Sequence, residues 1–379
     1  MKRKSSMKKI VFCTFSNFRS GAFGDAINDR KLFDAIPPIY KKIALFPKFN
    51  KNNKISLKSV ITFYGYYIKE IITTNNVFII RGPKLAILPI LLRKFFKNRI
   101  ILRSGCTPLM FVERKAFLRN IEYKPNESFL LNFFYYIEPN LEIYALRHVD
   151  DFIVENTRAK KILIYYGASS NKIKIIPYYI QEYFLKGNNP DFNRSKDCFK
   201  VGYVGRFKKY DLIIPIINAI KYLKENNYNV KLYLIGDGPK RKNIENLVEN
   251  KDLREDATFL GAKPHKQLSN LINEYHCLLF PMFNNLCPST IAIKILENVM
   301  KGKIIITSNS GNNVSLFREN RDLILDLTSY TSIAQKIKLV IDNYDKYKKI
   351  AENLSEYHSK FRSKSINTKL LAELLNKSF

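Results

Sequence analysis

Short apolar runs alternate with longer amphipathic segments along most of the chain, which is the pattern of an α/β protein with parallel sheets. Apolar runs of strand length are predicted to be buried on both faces of such a sheet. In the first half, this pattern predicts strands at 9–15, 77–80, 99–103, 151–154 and 172–176. It predicts helices at 26–36, 84–97, 129–147 and 157–166.

The second half repeats the alternation. It predicts strands at 199–204, 230–235, 258–260, 277–280 and 304–307, with helices between them and three further helices near 332–343, 351–360 and 368–375. Successive strands that each lead into a helix bring their carboxyl ends to one edge of a sheet, where ligands bind in open α/β folds. The polar, turn-rich segment 188–195 is the candidate linker between two domains.

The segment 284–313 is the part around which the second half is organised. Pro288, Ser289 and Thr290 are predicted to start and cap a helix that continues to Met300, and Gly302 is predicted to end it. The start of such a helix attracts phosphate. A purely structural helix–strand pair explains the same pattern.

The chain carries a formal net charge of +31, which predicts an anionic partner. Residues 1–195 hold 34 Lys and Arg against 14 Asp and Glu, so the first half has the stronger positive field. Within it, 81–103 has seven cations and no acid around an apolar stretch, and further Phe residues follow as far as Phe134. We therefore predict an anionic membrane surface as a partner of residues 81–135. A helix that covers a sheet and extends its cationic groups outward is the alternative.

Five scattered cysteines with no CxxC pair argue against disulfides and zinc and for a reducing compartment. No uncharged apolar run approaches the length of a transmembrane helix. The sequence thus predicts a cytoplasmic protein, peripheral on the cytosolic face of a membrane.

Two glycine-containing turns follow predicted strands. Gly21 and Gly24 lie in the first turn, which suits an anion or a sugar hydroxyl, although tight backbone geometry alone explains them equally well. In the second turn, Gly205 precedes Arg206, Lys208 and Lys209, and an Arg with a Lys at this edge suits a diphosphate. The alternative is that these Arg and Lys side chains are ordinary solvated cations of a basic protein and bind no ligand.

The order of motifs resembles glycosyltransferase family 4. The matching segments are HVDDFIVENTRAKKILIYYGASSNKIKIIPYYI, VGYVGRFKKYDLI, YLIGDGP, FLGAKPHKQLSNLI and IKILENVMKGKIIITSNSG. The resemblance implies the GT-B fold, with two facing Rossmann-like domains, parallel sheets and a C-terminal helix that crosses back to the first domain. The expected domains are an acceptor-binding domain at 1–190, a nucleotide-sugar-binding domain at 196–360 and a returning helix at 361–379.

The resemblance also implies a role for individual residues. It implies that Arg206, with Lys209 or else Lys208, contacts the donor diphosphate, and that Glu297 accepts hydrogen bonds from ribose hydroxyls. Ser289 stands where the family has its first glutamate, which leaves the identity of the sugar open. A related family pattern is Ser-x-x-x-Lys-x-x-Glu. Ser289 or Thr290, together with Lys294 and Glu297, approximates this pattern. The donor site is further expected to include Gly21, Gly24, Gly205, Asp237, Gly238 and Pro264.

The activity that the resemblance implies is retaining, metal-independent hexosyl transfer. The donor is a UDP- or GDP-linked sugar, the acceptor is a lipid-linked or glycan hydroxyl in cell-envelope polysaccharide or glycoconjugate synthesis, and no cofactor is implied. A non-catalytic partner protein of the same fold is the alternative that Ser289 keeps open. A nucleic-acid-binding protein would explain the charge, but the chain has no recognisable nucleic-acid-binding motif. The four histidines, His148, His265, His276 and His358, are interpreted as ordinary surface or partly buried residues.

Overall fold

The structure is a computed structural model, and it describes most of the chain. The described residues are 8–14, 24–50, 55–73, 75–103, 140, 143–185, 187, 189–207, 212–282, 291–325 and 329–376. The chain divides into two compact units, one of residues Met1–Tyr179 and Arg362–Phe379 and one of residues Ile180–Phe361. Each unit contains one six-stranded sheet.

The sheet of the first unit is parallel throughout, with the order β2-β1-β3-β4-β5-β6. Its strands are β1 (Lys9–Cys13), β2 (Lys41–Leu45), β3 (Val77–Arg81), β4 (Arg99–Arg103), β5 (Asp151–Val154) and β6 (Ile173–Ile175). Before residue 180, the described residues form the helices α1 (Gly24–Asp34), α2 (Leu57–Ile71), α3 (Pro83–Leu91) and α4 (Thr157–Tyr165), and residues 143–148 are helical as well.

The second sheet is also parallel, with the order β12-β11-β10-β7-β8-β9. Its strands are β7 (Phe199–Val204), β8 (Val230–Ile235), β9 (Ala257–Gly261), β10 (Cys277–Phe280), β11 (Ile305–Ser308) and β12 (Ile324–Leu325). The helices of this unit are α5 (Ile213–Glu225), α6 (Arg241–Asn250), α7 (His265–Leu271), α8 (Ile293–Met300), α9 (Tyr330–Asp342) and α10 (Tyr344–Ser359).

The last helix, α11 (Lys364–Leu375), belongs to the first unit. Its apolar residues Leu371, Leu374 and Leu375 are buried in one core cluster with Leu32 and Ile36, on the α1 side of the first sheet. Helices α2, α3 and α4 contribute to the other core cluster of this unit. Both faces of the first sheet are therefore covered, as the continuous apolar strands require.

The predicted α/β alternation and its parallel sheets are confirmed. The segment 188–195 lies within the second unit, where Asn189 Nδ2 donates to the Gly302 carbonyl (2.6 Å) and Tyr344 Oη donates to the Pro190 carbonyl (2.7 Å). The units divide instead between Tyr179 and Ile180.

Two elements of the first unit have no counterpart in the sequence prediction, β2 and α2. Helix α2 is rich in β-branched and aromatic residues and contains Gly65. Residues of these types have a low intrinsic helix propensity. It forms because Phe63, Tyr67 and Ile71 are spaced to bury one face against the sheet, and Ser56 Oγ caps its first turn at Ser59 N.

Helix α3 packs against the sheet through Leu85, Ala86 and Ile90. The apolar stretch that was predicted to face a membrane thus supplies core contacts. This agrees with the alternative prediction, a helix that covers the sheet. Four of the cations in 81–103 form ion pairs, Arg81 and Arg103 with Asp29, Arg93 with Asp150, and Arg99 with Asp151. None of the helices in the described parts of the chain is long and apolar enough to cross a membrane.

Candidate functional site

The turns that follow β7 and β8 are packed directly against each other. Gly205 N donates to the Ile235 carbonyl (3.0 Å), and Phe207 N donates to the Asp237 carbonyl (3.0 Å). Gly236 has φ +136°, and a Cβ on it would lie 1.8 Å from the Gly205 carbonyl oxygen. Only glycine satisfies both conditions, so this position holds the two turns together at the carboxyl edge of the sheet.

Asp237 and Gly238 complete the second turn. A Cβ on Gly238 would lie 2.6 Å from the Phe207 carbonyl oxygen, and Gly238 N donates to Asp237 Oδ1 (2.7 Å). The Asp237 carboxylate therefore accepts a hydrogen bond within its own turn, and it also lies 4.0 Å from the Arg241 guanidinium. These two residues shape the turn that supports Arg206.

Two cations of the described residues lie at this edge. Arg206 is exposed in the turn after β7, and Lys294 lies in the first turn of α8. A Cβ on Gly205, the residue before Arg206, would lie 3.0 Å from Lys294 Nζ. Lys294 Nζ also lies 5.4 Å from the centroid of the Tyr203 ring and 5.5 Å from that of Phe280. The aromatic faces hold the ammonium in place beside the turn.

Glu297 lies one turn further along α8, on the same side of the helix as Lys294. The residue is 4% exposed, and its Oε2 lies 3.0 Å from His265 Nε2. His265 Nδ1 in turn lies 2.8 Å from Tyr183 Oη. With a proton on Nε2 and none on Nδ1, the His265 ring donates to Glu297 Oε2 and accepts from Tyr183 Oη, so that it bridges the two side chains.

Burial, together with the charge of Glu297, raises the pKa of Tyr183, which keeps its hydroxyl protonated as the donor to His265. The Tyr183 carbonyl accepts from Ser269 Oγ, and it also accepts from Lys301 Nζ at 3.2 Å. Lys301 Nζ further donates to Ser269 Oγ (3.0 Å), and burial lowers the pKa of this ammonium. The chain entering the second unit is thereby tied to α7 and to the end of α8.

The predicted start of α8 is wrong. The helix begins at Ile293, because Ala292 has extended backbone angles and its N–H donates to Asn313 Oδ1 (2.8 Å). The predicted end is confirmed, since α8 stops at Met300 and Gly302 follows with φ +75°. Lys294, rather than a capping hydroxyl, is thus the polar side chain in the first turn.

Other predicted site residues are placed as follows. Pro264 is the exposed N-cap residue of α7, directly before His265. Gly24 is the first residue of α1 in the first unit. The remaining predicted residues lie outside the described residues: Gly21, Lys208, Lys209, Ser289 and Thr290.

His265 is the residue of this site that sequence reasoning missed. The interpretation of His265 as an ordinary histidine is incomplete, because it bridges Glu297 and Tyr183. The signal that could have found it was its position in the GAKPHKQL motif, immediately after Pro264. Within the parts of the chain that the structure describes, no group of three or more His, Cys, Asp or Glu side chains is arranged to hold a metal ion.

The sequence model of the family "Glycosyl transferases group 1" matches residues 188–357, which include Arg206, His265, Lys294 and Glu297. A Staphylococcus aureus relative, the capsular polysaccharide biosynthesis glycosyltransferase CapM, is 24% identical over 249 residues, or 62% of this chain and 63% of that protein. An Arabidopsis thaliana relative, one of the subunits of phosphatidylinositol N-acetylglucosaminyltransferase, is 25% identical over 172 residues, or 44% and 36%. The chain thus spans less than two thirds of these curated relatives.

The fold is also that of solved glycosyltransferase structures. The structure of Anabaena HepE in complex with UDP and glucose aligns with a TM-score of 0.68 at 14% identity, covering 98% of this chain and 100% of that one. This likeness identifies the fold, and the sequence match relates residues 188–357 to the family. Residues 188–357 thus match the group 1 glycosyltransferases and the chain has the GT-B fold, consistent with the predicted resemblance to family 4.

Proposed function

We propose that the protein is a retaining glycosyltransferase that moves a sugar from a nucleotide-sugar donor to a hydroxyl of a lipid-linked or glycan acceptor in cell-envelope glycan synthesis. The observation that carries this proposal is the arrangement of Arg206, Lys294 and Glu297 at the carboxyl edge of the second sheet, within the segment that matches the family. HepE, which shares the fold, has been seen with UDP and glucose.

In this proposal, two cations bind the donor diphosphate. Arg206 offers a planar guanidinium that can bond two phosphate oxygens, and Lys294 adds a point charge at the start of α8. The proximity of Lys294 Nζ to Gly205 supports their acting on one anion. Since these charges can neutralise the leaving group, we propose that transfer requires no metal ion.

Glu297 is proposed to accept hydrogen bonds from the ribose hydroxyls. His265 holds Glu297 Oε2 in place from the side of α7, so the carboxylate is oriented before the nucleotide arrives. This preorganisation reduces the ordering cost of binding.

The proposed reaction breaks the bond between the anomeric carbon and the diphosphate oxygen and forms a bond from that carbon to the acceptor oxygen on the same face. The acceptor proton passes to the departing phosphate. Arg206 and Lys294 stabilise the negative charge that develops on the diphosphate, and this stabilisation is greatest in the transition state.

The acceptor class is proposed from two relatives. CapM acts, by its name, in capsular polysaccharide biosynthesis, and the Arabidopsis protein is part of a phosphatidylinositol N-acetylglucosaminyltransferase. Both names fit acceptors of membranes or cell envelopes, and we propose that the enzyme works at the cytosolic face of a membrane. The Arabidopsis relative is one part of a multi-subunit transferase, which makes a non-catalytic partner protein the second candidate.

A screen of UDP- and GDP-sugars by thermal shift, followed by hydrolysis and transfer assays on the hits, tests the proposal. We expect stabilisation by one donor and EDTA-resistant turnover. Arg206→Ala should lower kcat by about a hundredfold, the size typical of losing one transition-state contact, with little change in acceptor KM.

Arg254→Ala removes an exposed arginine elsewhere in the same unit and serves as the matched control. Equal effects of the two substitutions would contradict the role of Arg206. Donor binding without hydrolysis or transfer would favour the non-catalytic candidate instead.

A further inference from the structure

Helix α2 uses one face to cover the first sheet. Phe63, Tyr67 and Ile71 are buried there, and Tyr67 Oη donates to the Leu85 carbonyl. The hydroxyl of Tyr67 is thus satisfied inside the core, and this face accounts for the attachment of α2 to the first unit.

A second apolar face of α2 lies beside the buried one and is exposed. Its residues recur every three or four positions, and at 3.6 residues per turn they fall within an arc of about 80°. Leu57 is 76% exposed and Ile61 is 63% exposed. We define this set as the outer stripe, and its members are Leu57, Ile61, Tyr64, Ile68 and Ile72, all of them exposed. Large apolar side chains gathered on one exposed face mark an interaction site.

The charges beside the outer stripe are positive. Lys58 and Lys69 are exposed and lie on the same flank of the stripe. The acid of this helix, Glu70, lies on the far side and is paired with Lys9 Nζ at 2.5 Å. Between Asp34 and Glu113 the sequence has fourteen Lys and Arg and one acid, Glu70.

Exposed apolar and cationic residues also occur together at the end of α3. Leu91 and Phe95 are exposed there beside the exposed Lys94 and Lys97, while their neighbours Leu92 and Phe96 pack on the core that α2 covers. The end of α2 adjoins this segment, because Asn98 Nδ2 donates to the Ile71 carbonyl (2.6 Å). Apolar and cationic groups are therefore interleaved over two neighbouring elements.

We propose that the outer stripe of α2, with Leu91 and Phe95, docks on an anionic lipid bilayer, with α2 lying in the interface plane. The apolar groups enter the region between headgroups and acyl chains, and the lysines contact anionic headgroups. Tyr64 supplies an aromatic ring with a polar end, which suits that interface. A second copy of the chain is the weaker fit, because its equally basic surface would place lysine against lysine.

This proposal does not depend on the assignment of a donor or acceptor, since lipid binding is measured without either. In relation to the proposed function, it would place the first unit on the membrane that carries a lipid-linked acceptor.

The test is flotation of the full chain with vesicles of phosphatidylcholine alone and with added phosphatidylglycerol, at low and high salt. The variant Leu57→Gln/Ile61→Gln/Ile68→Gln removes three stripe residues and keeps good helix formers. We expect the wild type to float with the anionic vesicles, less so at high salt, and the variant to bind at least about tenfold more weakly. Lys58→Gln/Lys69→Gln should weaken binding to the anionic vesicles and leave binding to phosphatidylcholine vesicles unchanged.

The matched control is Ile214→Gln/Tyr222→Gln, which removes exposed apolar residues from the second unit and should bind like the wild type. Circular dichroism melting checks that each variant is folded. Wild-type protein that fails to float, or a folded triple variant that floats equally well, overturns the proposal. A wild-type dimer that the triple variant converts to monomers, without vesicle binding, would identify the stripe as a self-association surface.

Discussion

His265 Nε2 lies 3.0 Å from Glu297 Oε2, and this contact joins the start of α7 to the middle of α8. The other ring nitrogen of His265 lies 2.8 Å from Tyr183 Oη, so one histidine connects three separate segments. A buried carboxylate needs such partners, because an unsatisfied charge in the interior is costly. The same contact sets the direction in which Glu297 can present its carboxylate.

His265→Ala should weaken donor binding because Glu297 loses the group that orients it. We expect about a tenfold rise in donor KM or UDP Kd, the effect of one hydrogen bond to a charged group, with a smaller change in kcat. His265→Gln can place an amide N–H near the Nε2 position and should recover most of the affinity. Lys266→Ala, at the exposed neighbouring position, is the control. Isothermal titration with UDP measures the effect, and equal affinity of His265→Ala and wild type would contradict it.

Gly236→Ala should destabilise the second unit and weaken donor binding. The new Cβ would meet the Gly205 carbonyl oxygen, and φ of +136° is unfavourable for alanine, so we expect a loss of about 3 kcal/mol or more in the free energy of unfolding. Gly65→Ala is the contrasting substitution, because nothing lies within 4 Å of its Cβ position in α2. That change should stabilise the first unit by about 1 kcal/mol. Urea unfolding of both variants checks the prediction.

His276 should make the second unit acid-sensitive. Burial lowers the pKa of His276 from 6.5 to about 4, and its Nδ1 accepts from Lys200 N (2.7 Å). Between these pH values the unfolded chain takes up a proton that the folded chain does not, so stability falls as pH drops from about 6.5 to about 4, by on the order of 3 kcal/mol.

His276→Asn keeps an acceptor near Nδ1 and removes this titration. The variant should therefore lose less stability than the wild type between about pH 7 and about pH 4.5, as measured by urea unfolding. Parallel pH profiles of the two proteins would show that His276 does not control this dependence.

Asp151→Asn should destabilise the first unit. Arg99 Nη2 donates to Asp151 Oδ2 (2.6 Å) and to the Leu374 carbonyl (2.8 Å), so the ion pair also ties α11 to the sheet. Both side chains are buried, and removal of one charge leaves the other uncompensated, at a cost of about 3 kcal/mol. Glu249→Gln breaks an exposed pair with Arg254 and should change stability by less than about 1 kcal/mol. Chemical denaturation compares the two, and similar small effects would refute the prediction.

Most of the strands were predictable because their signal is local. The apolar run at 304–307 predicted a buried strand, and β11 occupies Ile305–Ser308. Helix α2 was missed for a physical reason, since apolar residues on two faces obscure the 3.6-residue periodicity. The start of α8 was misplaced because Asn313, twenty-one residues later, takes the N–H of Ala292. A local capping pattern contains no information about that partner.

By itself, the sequence determined the α/β class, the two parallel sheets and the position of Arg206 and Glu297 in a recognisable order of motifs. These properties follow from periodicity and spacing, which each segment carries alone. Only the tertiary structure decided that Lys294 lies beside Gly205, that His265 contacts Glu297, and that α2 keeps an apolar face exposed. Contacts between distant segments depend on how the whole core packs, and the residues of one segment do not specify their partners in another.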